Sequence, residues 1–178
     1  MKKVFYIIVL LIPFLLLTGC SDEEKTNNSK PVIKEIESNG EKVKTKQMTQ
    51  LYCTREAQAS GIQVNIHYDV FYTGDQLNII HSVEQVISSS PEKLDTYEEA
   101  YKGIHKHYEG LEYYDTNVDR NETSVTSEIT INYDKIDTKK LIEIEGTDNN
   151  VFENNQAKYS KWLDLAKKFG VKCEEVSK

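Results

Sequence analysis

The most regular stretch of the chain runs from Ile62 to Tyr72, where Ile62, Val64, Ile66, Tyr68, Val70 and Tyr72 alternate with Gln63, Asn65, His67, Asp69 and Phe71. A period of two kept over that length predicts a strand with one buried face. Thr73-Gly74-Asp75-Gln76 follows as a tight turn with Gly at its first central position, and Leu77 to about Ser88 returns as the next strand. Met48 to Glu56, ahead of Ala59-Ser60-Gly61, reads as a strand before these two, giving a three-stranded meander. With Gly74-Asp75 as a two-residue loop, Tyr72 meets Leu77, Val70 meets Ile79 and Ile66 meets Val83, apolar against apolar. A buried face enforces register, so this pairing is the expected one, and it sends His67 and His81 to opposite faces of the sheet.

The period then changes. Ser90-Pro91-Glu92 supplies a cap residue, a proline at the first helical position and an early acid, and Leu94, Tyr97, Tyr101, Ile104, Tyr108 and Leu111 recur at spacings of three and four. This predicts an amphipathic helix packed on the meander. Glu112 to Asp119 and Thr123 to Tyr133 read as two strands around Arg120-Asn121-Glu122, and Leu141 to Glu145 as a short further strand. Asn154 to Phe169 reads as a closing helix with Tyr159, Trp162, Leu163, Ala166 and Phe169 inward, lysines in its last turn and Gly170 at its C-terminal cap. Hairpins with helices between and after them imply an α+β fold, an antiparallel sheet packed against two amphipathic helices.

Before this domain, Lys2 and Lys3 precede an apolar run from Val4 to Leu17 that Pro13 interrupts. That run is short of the roughly 20 residues a spanning helix needs and fits a signal-peptide core. Leu17-Thr18-Gly19-Cys20 closes it and resembles the bacterial lipobox, which implies cleavage before Cys20 and a diacylglycerol on its thiol. The expected organisation is a removed leader over 1–19, a lipidated Cys20 with a polar, disordered tether over 20–46, and a single domain over 47–178. The mature chain loses 19 residues and two lysine charges, so the net charge of −7 becomes −9 on 159 residues. Such a chain repels phosphate backbones, so nucleic acid is not an expected partner. The expected location is the extracytoplasmic face of a cell membrane. The expected partners are that membrane, through the lipid, and an envelope protein or small ligand.

Assigning Cys20 to lipid leaves Cys53 and Cys173, an even pair that an oxidising compartment joins as a disulfide. His105 and His107 lie roughly 200° apart on a helix and cannot share an ion. With His67 and His81 expected on opposite faces, neither a metal site nor a cofactor is expected. No phosphate loop, zinc-protease helix, nucleophile elbow or Cys-His pattern occurs, and no catalytic residue is assigned. Of the 11 tyrosines, Tyr68, Tyr97, Tyr101 and Tyr108 fall at inward positions, whereas Tyr113 and Tyr114 follow Gly110 near a loop. One of that pair must point outward in an extended segment, which makes Tyr113 and Tyr114 the candidate recognition surface.

Three segments carry a family resemblance: Tyr72-Thr73-Gly74-Asp75-Gln76-Leu77, the stretch from Glu98-Glu99-Ala100 to Tyr108-Glu109-Gly110-Leu111, and Ile129-Thr130-Ile131-Asn132-Tyr133-Asp134-Lys135. Together they resemble the YehR-like family of small bacterial lipoproteins, whose function is unknown. The resemblance implies a small lipid-anchored domain and brings no catalytic residues with it. The reading that follows is a non-enzymatic binding or interaction module of the bacterial envelope. A small-ligand protein with an aromatic-lined pocket is the alternative, and an unrecognised hydrolase comes after it.

Overall fold

The computed structural model describes residues 35–45, 47–146 and 151–176. Strands β3 (Thr49–Ala59), β4 (Ile62–Thr73) and β5 (Gln76–Ser88) form the expected meander. Helix α1 (Pro91–Lys106) starts where the proline requires, with the Ser90 hydroxyl accepting from the Lys93 amide. Strands β6 (Tyr114–Arg120) and β7 (Ser124–Asn132) make the second hairpin. Asn121 shapes its turn, its Oδ1 accepting from the amides of Thr123 at 2.9 Å and Ser124 at 2.8 Å.

The chain then departs from expectation twice. Residues 141–145 are helical, within α2 (Thr138–Glu145), because Asp137 caps the segment by accepting from the amides of Lys139 and Lys140. The closing helix α3 is shorter than expected, Tyr159–Lys168, and is preceded by a small hairpin of β8 (Phe152–Glu153) and β9 (Gln156–Ala157). Asn154 and Asn155 turn that hairpin with positive φ of 51° and 61°, a conformation asparagine tolerates. Lys158 gives α3 no side-chain cap. Asp75, in the β4–β5 turn, does so from a distance: its backbone oxygen accepts from the Tyr159 amide at 2.9 Å and its carboxylate from the Ser160 amide at 3.0 Å. The Ser160 amide, with the Ser160 hydroxyl, holds the Asp75 carboxyl below its ordinary range.

A last strand, β10 (Lys172–Glu175), pairs with β3 and completes a six-stranded antiparallel sheet in the order β10-β3-β4-β5-β7-β6. Cys173 stands directly opposite Cys53 in this pairing, and the two form a disulfide. The bond closes a separation of 120 residues, which removes about 5 kcal/mol of denatured-state entropy in the loop model.

The helices cover one face of the sheet. Leu94 and Tyr101 of α1, Leu141 of α2 and Trp162 of α3 join Val64, Ile66, Tyr68, Val70 and Val125 in the main core. The other face has its own cover. Residues 35–45, expected to belong to the tether, include a hairpin of β1 (Glu35–Ser38) and β2 (Glu41–Lys44) that turns through Asn39-Gly40 with positive φ at both positions. Ile36 packs on Phe71 and Ile79 in a second, small core, with Val43 and Met48 alongside. The Asn39 amide donates to Asp115 at 2.9 Å, and Lys135 pairs with Glu41, so the hairpin is fastened at its turn. Cys20 and the rest of the expected leader and tether lie outside the described residues.

This second core explains why the expected register is wrong. Thr73–Gln76 and Tyr72–Leu77 pair as expected, but Phe71 meets Ile79, Val70 meets Ile80 and Ile66 meets Glu84. Asn78 is the extra residue of a β-bulge. It leaves the ladder to donate from Nδ2 to Asp134 at 2.9 Å, while its carbonyl accepts from the Tyr133 amide at 2.8 Å. Phe71 and Ile79 form an apolar pair on the face taken to be polar. From the bulge onward every β5 side chain changes face, so His81 joins His67 on the face opposite the helices.

Candidate functional site

Two rungs of the sheet, next to the small hairpin-covered core, gather most of the unusual polar groups. Across β3, β4, β5 and β7 the first reads Tyr52, Asp69, His81, Thr130, and the second reads Thr54, His67, Val83, Glu128. Strand pleating points all eight to the same side, away from the helices. The His67 and His81 rings are 6.5 Å apart between centroids, and Tyr52 lies 6.0 Å from His67. His81 Nδ1 is bonded to Thr130 Oγ1 at 3.0 Å, and its Nε2 faces Glu128 Oε1 at 3.5 Å.

Asp69 is fully buried in this row. Gln50 donates to one of its oxygens at 2.7 Å, and the other, Oδ2, has no hydrogen-bond partner. Burial pushes the Asp69 carboxyl up, against the Gln50 bond and the attraction of His81. Burial, reinforced by His81, pushes the His67 imidazole down, while Glu128 pulls it back. The lowering favours the neutral imidazole, the form that carries a lone pair.

Thr130, His81 and Glu128 stand in the order of a nucleophile, base and acid. Thr130 is only 7% exposed and lies mid-strand with β7 between β5 and β6, so neighbouring amides are engaged in the ladders and are poor candidates for an oxyanion hole.

The candidate recognition pair separates. Tyr114 is buried and stacks on Tyr108 with centroids 4.1 Å apart. Tyr113 adopts a positive φ of 66° and is half-buried, with the Lys135 ammonium over its ring at 5.1 Å. It presents one covered ring and no joint surface with Tyr114. Tyr68, Tyr101 and Tyr108 are core residues as expected. A groove of about 480 Å³ runs between α3 and the β10 edge, floored by Leu51, Leu163 and Val171 with Lys167 and Lys172 at its rim, and Tyr159 is its one aromatic lining.

Two acids border the main core, Glu84 half-buried and Glu145 buried. Glu84, turned inward by the bulge, is pushed up to about 7 by burial, against the Tyr101 hydroxyl and the charge of Arg55. Glu145, at the end of α2, is pushed up to about 8 by burial, against a hydrogen bond from Tyr108. The signal for the site and for Glu84 is the same residue, Asn78, which breaks an otherwise apolar Leu77-to-Ile80 run.

A six-stranded antiparallel sheet with three helices on one face and a hairpin on the other defines an α+β domain. The sequence matches no protein-family model and no curated protein. Among solved structures, the chain is similar to the NMR structure of the YehR protein of Escherichia coli, with a TM-score of 0.51 and 16% identity over 74% of this chain and 96% of that one. It is also similar to the NMR structure of a protein from Streptococcus pneumoniae TIGR4, with a TM-score of 0.44 and 15% identity over 89% and 99%. The likeness to the YehR structure supports a YehR-like fold.

Proposed function

We propose that the protein is a lipid-anchored module of the bacterial cell envelope, held on the extracytoplasmic face through Cys20, which binds an envelope component and catalyses no reaction. The observation that carries this reading is Leu17-Thr18-Gly19-Cys20 at the end of a short apolar run behind two lysines. The pairing of Cys53 with Cys173 supports it, because a structural disulfide persists in an oxidising compartment. The hairpin that begins at Glu35 supports it further: it sets the folded domain only about 15 residues from the lipid, so the domain works close to the bilayer surface. The non-catalytic part rests on the buried position of Thr130 beside His81.

The test is metabolic labelling with a radiolabelled fatty acid in a bacterial host, comparing the wild type with Cys20→Ala. The wild type takes up label and sediments with membranes, whereas C20A is unlabelled and leaves the membrane fraction after its leader is removed or fails to mature. Label in C20A, or an unlabelled wild type that is free of membranes, overturns the anchoring.

A further inference from the structure

We propose that the outer face of the sheet holds a divalent transition-metal ion of the zinc class, with His67, His81 and Glu128 as its ligands. The inference is independent of the lipid at Cys20.

The first support is a distance. His81 Nε2 and Glu128 Oε1 are 3.5 Å apart, long for a charge-assisted hydrogen bond, which runs at about 2.7–2.9 Å. Two ligand atoms each about 2.1 Å from one tetrahedral ion stand about 3.4 Å apart, and that is the spacing here. The second support lies on the far side of the ring. Metal-bound histidines carry an outer partner on their other nitrogen, and His81 Nδ1 has Thr130 Oγ1 at 3.0 Å. In the tautomer where Nδ1 donates to Thr130, Nε2 is bare and directed at the Glu128 side.

His67 completes the set. It shares the face with His81, and the two rings are 6.5 Å apart between centroids. Rings bound to one tetrahedral ion sit about 5 Å apart. Among the described residues no three such groups stand at common ligand distance, so the half-buried His67 side chain must turn inward by about an ångström or more on binding. Asp69, opposite His81 in the ladder, adds a buried carboxyl with one unpartnered oxygen behind the site. Two imidazoles and a carboxylate suit zinc, cobalt or nickel over magnesium or calcium, which take all-oxygen sites. The fourth position faces outward, open to water or to a donor group from a partner.

The test is titration of the full-length protein in detergent micelles with Zn2+ against a chromophoric chelator, and with Co2+ by its visible tetrahedral bands. The wild type binds a single Zn2+ and gives the cobalt bands. H67A and H81A each abolish the bands and weaken Zn2+ by more than the 10–100-fold that Thr130→Val, which removes only the outer partner, is expected to cost. E128Q weakens binding, and H107A, on the opposite side of the sheet, leaves it unchanged. Circular dichroism checks folding; if H81A does not fold, H67A and T130V decide. Weak millimolar binding by the wild type, equal binding by H67A and wild type, or an equal loss in H107A overturns the site.

Discussion

Glu145 offers the sharpest energetic test of the core. Its side chain closes α2 among Tyr108, Tyr114 and Tyr133, with Oε1 lacking a hydrogen-bond partner. Burial raises its carboxyl from the ordinary 4.5 to about 8. Between these values the folded chain holds a proton that the unfolded chain has released. For an acid raised in this way, the contribution to stability is complete below about pH 4.5 and is lost as pH climbs through about 8. At 1.36 kcal/mol per unit, three and a half units amount to roughly 4–5 kcal/mol, a large share of a domain's usual 5–15 kcal/mol. Glu145→Gln keeps the shape and cannot ionise. Urea unfolding of both proteins at about pH 5, 7 and 9 reads the difference directly. The two should agree within about 1 kcal/mol at pH 5, and E145Q should be the more stable by several kcal/mol at pH 9. A one-proton slope between about pH 4.5 and 7, levelling off above, should survive in E145Q, because burial raises Glu84 in the same way. Parallel stability curves for the two proteins would refute a buried, protonated Glu145.

Three further outcomes test other joints of the fold. Asp75→Ala should lower the melting temperature by a few degrees and speed amide exchange in the first turn of α3, because its carboxylate caps Ser160 from across the domain. Ile36→Ala should cost about 2–3 kcal/mol locally, detaching the β1–β2 hairpin and exposing the Asn39-Gly40 turn to limited proteolysis while the six-stranded sheet persists. Replacing Cys53 and Cys173 together by Ala should cost about 2–5 kcal/mol in chemical unfolding, with the largest gain in exchange along β10, the edge strand that the bond secures.

Local chemistry made much of this fold legible. The alternation from Ile62 to Tyr72 and the Ser90-Pro91 start define β4 and α1 because each signal acts within its own segment. What escaped depends on residues far apart. The bulge at Asn78 is fixed by Asp134, 56 residues away, and without it the apolar pairing of Val70 with Ile79 looks self-consistent. That pairing also presumed one buried face, whereas Phe71 and Ile79 are covered by a short hairpin that brings Ile36 and Val43 onto them. Some misses did carry a local signal: Asn39-Gly40 and Asn154-Asn155 are hairpin turns in their own right, and Asp137 is a helix cap. The polar face around His67 and His81 was hidden for the same reason as the register, since one inserted residue reverses which side each β5 side chain occupies.

The anchoring claim is tested most directly by the intact mass of the protein purified from bacterial membranes. The account predicts a polypeptide that begins at Cys20, carries the added mass of a diacylglycerol thioether with or without a further acyl chain, and is two hydrogens lighter for the Cys53–Cys173 bond. A mass matching the full 178-residue chain with its leader retained and its first cysteine unmodified would contradict it.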